Sequence, residues 1–584
     1  MTNPKGVIVA KKRTTAAMAA GVIAVMALSA CGGGSQGDST GSSEAPAESQ
    51  AGGTVHVLNS TTVETWDPQR NTESAAYNFA IRTFWRSLTT AEPGTGKMVG
   101  DLATDAGSVS DDGKTWTFDI RDDAFWQDGK PVTCDDVKYG ISRSFAIDQI
   151  TGGSTYAMRF LDIPKDEEGA SLYKGPYSGE GSEHYDKAVT CDANTIAFHL
   201  AKPQFDFHLT LSTSGFMAYR KDQDQGAKSL HTVFSAGPYM IKDEWKSGAG
   251  GTFVRNPYWK ASDHDVRLGL PDEIVFEEGL SEDAPIQRII ANSGKDAAAV
   301  TLVPATPAQQ PLIMMDQKLM DRTLIASRSG IDFLQPNYRS ETMSDPVIRQ
   351  ALAVSTNRSG YAQALGGEEL FPPSYSVLYP GLEASSDEPP FGEPLTGDSE
   401  KAKSLLESAK VSLPVKIEVA YKKSSTSDKA MAALAEGWKA AGFDVKLQGI
   451  ADNYYSVAAS PASADKYDVF WNTWGISWPS AGTVVPNLFD SRINLSEAGT
   501  RLDYGYFDNA ELNATMDEAA FIVDDSEREQ AWGAVSLAIA RDGGYIALAG
   551  QTALLPYGSS IDLGSAGESV PGTIEIDFAE ISVK

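Results

Sequence analysis

Three tryptophans in the carboxyl-terminal part of the chain are the residues best suited to bind another molecule. Trp471, Trp474 and Trp478 lie three and four positions apart. Clustered indoles can stack on apolar side chains, on sugar faces or on cations. On a helix the same spacing would form one apolar face, so core packing is the alternative. Because residues 467–470 have the pattern of a strand, we expect a loop that turns Trp474 toward a ligand.

The motifs that usually carry catalysis are missing. Gly94-Thr95-Gly96-Lys97 is part of a phosphate-binding pattern, but Ala91 stands where the first glycine is needed, and Met98 replaces the hydroxyl residue that binds magnesium. No His-Glu-x-x-His helix occurs. The six histidines lack metal-ligand spacing; they are His56, His184, His199, His208, His231 and His264. We therefore predict that the protein is not an enzyme and that it binds neither a cofactor nor a structural metal ion. The rival interpretation is a secreted hydrolase with two cleft carboxylates.

The amino terminus has the order of a secretory signal. Basic residues between positions 5 and 13 precede an uncharged stretch, residues 14–30. That stretch is shorter than the run of about 20 apolar residues that spans a bilayer. It ends in Leu28-Ser29-Ala30-Cys31, which is similar to a bacterial lipobox. We predict a signal peptide over residues 1–30 and a lipid-modified, palmitate-bearing Cys31. An ordinary signal peptide followed by a chance cysteine is the alternative.

Residues 31–53 are rich in Gly and Ser and have no apolar periodicity, which predicts a flexible tether. The rest of the 584-residue chain is longer than one hydrophobic core usually supports, so several lobes are expected. The net charge of −29 argues against nucleic acid and anionic lipid as partners.

The two other cysteines, Cys134 and Cys191, form an even pair in a chain predicted to be exported. Such a pair predicts a disulfide. Two buried free thiols are the alternative, because the sequence does not reveal the distance between them.

Periodicity predicts both strands and helices. Residues 115–120 and 195–200 alternate with the period-two pattern of strands. Further on, the pattern predicts a strand over residues 415–421, a helix capped by Ser427 and a second strand over residues 443–448. Together these elements would make a βαβ unit. We therefore expect an α/β fold with mixed sheets and flanking helices. Ligands of such folds bind at the carboxyl ends of strands.

Four groups of motifs follow one another over most of the chain. They are Asp112-Gly113-Lys114-Thr115-Trp116 with Trp126-Gln127-Asp128-Gly129-Lys130-Pro131; Gly237-Pro238-Tyr239 with Arg255-Asn256-Pro257-Tyr258-Trp259; Asn337 with Asp345-Pro346-Val347 and Asn357-Arg358; and Glu400-Lys401-Ala402 with Tyr467-Asp468-Val469 and Trp474-Gly475. In this order they resemble the family 5 extracellular solute-binding proteins, the oligopeptide, dipeptide and nickel-binding group of bacterial ABC importers.

The resemblance implies a two-lobed clamp of the periplasmic-binding-protein type with an extra β-rich insert. On that template lobe I is formed by residues 54–87, 191–329 and 554–584. The insert spans residues 88–190, and lobe II, which is α/β, spans residues 330–553. The lobes are expected to close about a hinge over the ligand.

The resemblance also implies a function and its partners. The protein would capture a solute, most directly an oligopeptide, and deliver it to a permease that works with ATPase subunits. It would act as a monomer at the outer face of the membrane, held there through Cys31. An oligosaccharide or a metal chelate is the alternative ligand on the same fold.

The implied ligand lies between the lobes. The residues expected to contact it are Glu73, Ser74, Asn337, Tyr338, Trp474, Gly475, Ser477 and Trp478. In peptide-binding members an aspartate shortly after the tryptophan pairs with the ligand's α-ammonium, but here that position holds Ser477. Asp465, Asp468 or Asp490 could supply the charge instead, the ligand could lack a free ammonium, or the alignment could differ by a few residues.

Overall fold

The computed structural model describes residues 51–261, 266–496, 499–567 and 575–584. All of them belong to one unit, Ser49–Lys584. The predicted signal peptide, Cys31 and the tether up to residue 50 lie outside the described residues. Within the described part of the chain, no helix has the length and apolar character needed to cross a membrane.

The strands build three larger sheets and three small two-stranded ones in the described ranges. They are β1 (Thr54–Leu58), β2 (Thr89–Ala91), β3 (Met98–Gly100), β4 (Ser108–Val109), β5 (Thr115–Asp119), β6 (Val189–Asp192), β7 (Thr195–His199), β8 (Tyr239–Ile241), β9 (Gly250–Arg255), β10 (Glu273–Glu277), β11 (Ala299–Thr301), β12 (Thr323–Pro336), β13 (Val415–Lys422), β14 (Phe443–Ile450), β15 (Val469–Trp474), β16 (Leu495–Ser496), β17 (Gly499–Thr500), β18 (Ile546–Pro556), β19 (Ile561–Asp562) and β20 (Ser582–Val583).

The α-helices flank these sheets. Among the described residues they are α1 (Ser74–Thr83), α2 (Cys134–Arg143), α3 (Tyr156–Phe160), α4 (Ser182–Ala188), α5 (Phe207–Thr210), α6 (Ala284–Ala291), α7 (Gln310–Met314), α8 (Gln317–Met320), α9 (Pro346–Val354), α10 (Arg358–Leu365), α11 (Ser399–Ser408), α12 (Ser425–Ala440), α13 (Tyr454–Ala458), α14 (Pro461–Ala464), α15 (Val485–Phe489), α16 (Ser491–Asn494), α17 (Ala510–Ala520) and α18 (Asp525–Asp542).

The first sheet has the order β11-β1-β10-β9-β8, with β1 parallel to both β10 and β11. Alternate residues of β1, Val55 and Val57, are fully buried because they face a core that also holds Phe79 of α1. Phe578 and Ile581, from the carboxyl terminus, belong to the same core. We use the name lobe I for this sheet and its core.

The antiparallel sheet β4-β5-β7-β6 forms a separate core, which we call the insert. The predicted boundary at residue 190 is too early, because β7 pairs with both β5 and β6. Cys134, the first residue of α2, is joined by a disulfide to Cys191 of β6, and their Cα atoms are 5.9 Å apart.

The remaining large sheet has the order β14-β13-β15-β12-β18. We call this sheet, with the cores on its two faces, lobe II. Strand β13 is parallel to β14, and α12 crosses between them, as expected for the βαβ unit. The helix begins earlier than predicted, at Ser425, because the Oγ of Ser424 accepts a hydrogen bond from the N–H of Ser427 at 2.9 Å and caps it.

Two long antiparallel strands, β12 and β18, connect lobe I to lobe II. Ala326 and Ala553 lie in the lobe I core, whereas Leu334 and Ile546 lie in a lobe II core. The pairing shifts register between Arg328 and Ile331, so a bulge separates the two ends of β12. This bulge lies where the strands pass between the lobes and therefore sets the position of the site described next.

Candidate functional site

A cavity of about 530 Å³ opens at the bulge of β12. Its wall combines side chains from lobe I, from the connecting strands and from lobe II; those used below are Glu73, Ser74, Arg328, Ser477, Gln551 and Glu575. Small-molecule sites in proteins commonly enclose about 300–1,000 Å³. The cavity therefore has the volume of a ligand site, and its wall comes from both sides of the molecule.

The lobe I wall is the start of α1. Ser74 is the first residue of the helix, and Glu73 occupies the N-cap position with extended backbone. The Glu73 carboxylate accepts a hydrogen bond from the N–H of Glu64 at 3.2 Å and caps nothing in its own helix. Burial raises the pKa of the Glu73 carboxyl, and the Glu64 hydrogen bond opposes this only in part. The structure thus brings two predicted residues, Glu73 and Ser74, into the cavity wall.

The connecting strands supply the floor. Ser329 and Gly330 lie in the register shift of β12, where they line the cavity instead of pairing with β18. Gly475 packs directly against this bulge, because a Cβ atom there would lie 2.6 Å from the Oγ of Ser329. Gly475 therefore permits the close approach of two backbones beside the cavity.

A buried carboxylate stands behind the floor. Asp332 accepts hydrogen bonds from the Tyr361 hydroxyl at 3.0 Å and from the side-chain amide of Gln551 at 2.9 Å. Burial raises the pKa of Asp332, and these hydrogen bonds counteract the rise only in part. Because Gln551 also lines the cavity, Asp332 fixes the orientation of an amide that a ligand can reach. No local sequence pattern had indicated either residue.

The lobe II wall carries Ser477, a neutral hydroxyl. Three aspartates were considered as the source of the negative charge that Ser477 lacks, and none of them faces this cavity. Asp468 accepts hydrogen bonds from Ser340 and from the N–H of Glu418, Asp490 pairs with Arg492 at 2.8 Å, and Asp465 is exposed and outside the cavity wall. The carboxylates that do line the cavity are Glu73 and Glu575.

The two tryptophans nearest to Ser477 lie outside this cavity wall. Trp474 ends β15 and packs, half-buried, against a lobe II core. Trp478 is only 4% exposed, and its indole N–H donates to Asp206 of the insert at 3.2 Å. Its ring meets the ring of Tyr156 edge-on, with centroids 5.0 Å apart. Trp478 thus connects lobe II to the insert, which the sequence pattern alone did not reveal.

Asn337 and Tyr338 are also absent from the cavity wall. Asn337 is fully buried, and its amide donates to the carbonyls of Ala464 and Tyr467, both at 2.7 Å. The Tyr338 hydroxyl donates to the carbonyl of Asp542 at 3.0 Å. Both side chains hold the lobe II chain together at the end of β12, because their polar groups are occupied by internal partners.

Comparison with known proteins agrees with this architecture. The model of the bacterial extracellular solute-binding proteins, family 5, matches residues 97–495. The chain belongs to this family. The dipeptide-binding protein DppE of Bacillus subtilis is 27% identical over 310 residues, covering 51% of this chain and 52% of DppE, so the match spans about half of that relative. The probable D,D-dipeptide-binding periplasmic protein DdpA of Escherichia coli is 21% identical over 500 residues, 83% of this chain and 86% of DdpA.

Solved structures of the same type share the fold. The clavulanic acid biosynthesis oligopeptide binding protein 2 superimposes with a TM-score of 0.76 at 24% identity, covering 91% of this chain and 96% of its own. The unliganded open form of the periplasmic murein tripeptide binding protein MppA gives a TM-score of 0.75 at 19% identity, covering 92% and 98%. The predicted α/β clamp with mixed sheets is thereby confirmed.

This family 5 protein has a second, larger cavity of about 1110 Å³ between the insert and lobe II. The Gly94-Thr95-Gly96-Lys97 run lies on its rim as the turn between antiparallel β2 and β3. Gly94 and Gly96 have positive φ values, +76° and +68°, which a tight turn requires. A phosphate-binding loop would instead lead from a strand into a helix. Ile476 lines both cavities.

The described residues of this family 5 protein contain no group of three or more His, Cys, Asp or Glu side chains placed to hold a metal ion. His208 instead contacts Asp525 of lobe II, with Nε2 and Oδ2 2.9 Å apart, and stacks on Trp116. His264 lies outside the described residues.

Proposed function

We propose that this solute-binding protein captures a short peptide in the 530 Å³ cavity and delivers it to an ABC importer. The observation that carries the proposal is the composition of the wall: Glu73, Arg328 and Glu575 offer charges of both signs, and Ser477 and Gln551 offer neutral hydrogen-bonding groups. A peptide presents an ammonium, a carboxylate and backbone amides, so this mixture complements it. Relatives named as dipeptide-binding proteins support the same ligand class.

The position of the cavity supports capture by closure. Its wall draws on α1 of lobe I, on the connecting strands and on the loop of lobe II that carries Ser477. A ligand that touches all three is held most tightly when the lobes are closed, so its binding shifts the population toward the closed form. The closed form would then dock on a permease with its ATPase subunits.

We further propose binding without turnover, because family membership points to transport and not to hydrolysis. A hydrolase remains the rival, since two carboxylates, Glu73 and Glu575, line the cavity. An oligosaccharide or a metal chelate is the alternative ligand on the same fold.

Anchoring is proposed from the sequence alone. Cys31 would carry the lipid and residues 32–53 would form the tether, which places a monomer at the outer face of the membrane. Expression of the Cys31→Ala variant tests this. We expect the wild type in the membrane fraction and the variant in soluble fractions; equal membrane retention of both would refute the anchor.

Native mass spectrometry of protein purified from its own cells, followed by calorimetry with di- to penta-alanine, tests the peptide proposal. We expect a copurified peptide mass and saturable binding of at least one alanine peptide, with the peptide recovered intact after incubation. Absence of binding across the series, together with saturable binding of an oligosaccharide or a nickel chelate, would overturn the peptide assignment. Cleavage of the peptide would overturn capture without turnover.

A further inference from the structure

Two opposite charges in the described part of the cavity wall, Arg328 and Glu575, make no direct contact with a side chain of opposite charge. Among the described residues, neither the Arg328 guanidinium nor the Glu575 carboxylate makes a side-chain hydrogen bond or a contact ion pair, although the positive charge of Arg328 acts on Glu575. Arg328 is exposed at the bulge of β12, whereas Glu575 is half-buried near the carboxyl terminus. The Glu575 carboxylate is partly removed from water without a close counter-charge, which is unfavourable, and a ligand cation relieves it. The exposed Arg328 guanidinium can reach a ligand anion.

Electrostatics agree with this geometry. Burial raises the pKa of Glu575, and the positive charge of Arg328 lowers it only in part. The carboxylate is therefore poorly solvated and ready to accept a hydrogen bond from a cation. The other carboxylate of the wall, Glu73, already accepts the N–H of Glu64. Glu575 thus has more carboxylate acceptor positions available for a ligand than Glu73 has.

Among the described residues, the cavity wall holds no acid besides Glu575 and Glu73. Ser477 is neutral, and Asp332 lies behind the floor with both carboxylate oxygens hydrogen-bonded, one to Tyr361 and one to Gln551. A ligand cation that enters this cavity consequently meets Glu575 or Glu73, and a ligand anion meets Arg328 at the bulge.

We propose that Glu575 binds the α-ammonium and Arg328 the α-carboxylate of a short peptide whose amino and carboxyl termini are both unmodified. In this chain the counter-charge for the ammonium then comes from the carboxyl-terminal segment and not from the loop of lobe II. The inference rests on the proposed peptide function. To that function it adds the two residues that recognise the peptide termini. It also predicts that peptides with both terminal charges bind more tightly than blocked ones.

The test compares trialanine with N-acetyl-trialanine and trialanine amide by calorimetry on the full chain. For the wild type we expect acetylation to weaken binding about tenfold to a hundredfold, because it removes the partner of the half-buried Glu575. Amidation should weaken binding about twofold to fivefold, because Arg328 is exposed. In the Glu575→Gln variant the acetylation penalty should disappear while the amidation penalty persists. The Arg328→Gln variant should show the reverse pattern.

Glu436→Gln, on the exposed face of α12, is the matched control for loss of one negative charge and should behave as the wild type. Circular dichroism and the thermal unfolding midpoint establish that each variant is folded. If Glu575→Gln retains the wild-type preference for free over acetylated trialanine, the assignment of Glu575 is overturned although peptide capture stands. If the wild type binds no alanine peptide at all, the proposed function fails first, and the assignment of both residues falls with it.

Discussion

Two regions of this protein hold oppositely charged side chains, and the charges are closely paired in only one of them. Beneath α1, Asp101 is held by Arg267 through two contacts of 2.6 and 2.9 Å and by Arg86 at 2.7 Å, and all three are nearly inaccessible to solvent. In the cavity wall the side chains of Arg328 and Glu575 make no hydrogen bond or contact ion pair with the described residues. Paired charges hold the lobe together, whereas unpaired ones are available to a ligand. Removing a charge should therefore cost stability in the first region and binding in the second.

The largest effect is expected for Asp101→Asn. Although burial alone would raise the pKa of Asp101, Arg267 and Arg86 lower it to about 2. The substitution leaves two buried guanidinium groups poorly compensated, which should destabilise the fold by about 3–5 kcal/mol. Thermal and urea unfolding measure this, with Asp111→Asn on the surface as control.

The sign of the pH dependence at Asp101 follows from its lowered pKa. The carboxylate stabilises the folded state above the unfolded pKa of about 3.9, and this contribution is lost as the pH falls toward about 2. The difference in stability between wild type and Asp101→Asn should shrink over that interval. A difference that does not change with pH would contradict the lowered pKa of Asp101.

A smaller effect is expected for Trp478→Ala, which removes the aromatic contact between lobe II and the insert. Loss of a buried indole costs about 3 kcal/mol, and here it removes a contact that holds lobe II against the insert. We expect weaker peptide binding and a larger radius of gyration by small-angle scattering with peptide present.

Trp478→Phe is the graded control, because it keeps the ring against Tyr156 and loses only the hydrogen bond to Asp206, worth about 1 kcal/mol. Unchanged affinity and unchanged radius of gyration in Trp478→Ala would contradict a role in closure.

Glu529 represents an intermediate case, a buried acid whose hydrogen-bond partners are neutral. Burial raises its pKa to about 6, and hydrogen bonds from Ser480 and from the N–H of Ala481 oppose the rise. The folded state therefore binds this proton more tightly than the unfolded state, so stability falls by about 2 kcal/mol as the pH rises from about 4.5 to 6. Glu529→Gln should lack this fall when unfolding midpoints are compared across that interval; an identical profile would refute the shift.

The smallest change in stability is expected for Glu575→Gln and Arg328→Gln. Neither substitution strands a partner, so unfolding free energies should stay within about 0.5 kcal/mol of the wild type. Urea unfolding without ligand measures this. Destabilisation comparable to that of Asp101→Asn would show that these two charges also stabilise the fold, and would contradict their assignment to ligand binding.

Some of the residues that the sequence placed at a ligand lie together in the cavity wall. Glu73, Ser74 and Ser477 were expected at the ligand, and all three line the cavity. Arg328, Gln551 and Glu575 were not predicted, because each is an ordinary polar residue in its local context and becomes part of the wall only when distant segments meet. Trp478 was also expected at the ligand, but it lies outside the cavity wall and its ring packs against Tyr156.

The sequence by itself determined the family and the α/β class. Strand and helix periodicity and the order of the motifs can be read from the sequence without knowing which residues are in contact. It also revealed the departure at Ser477. Only the tertiary structure decided which charges are neutralised and which remain available, because pairing depends on distances between residues such as Asp101 and Arg267 that lie far apart in the chain. For the same reason Glu575 could be recognised as a ligand-binding candidate only after the chain was folded.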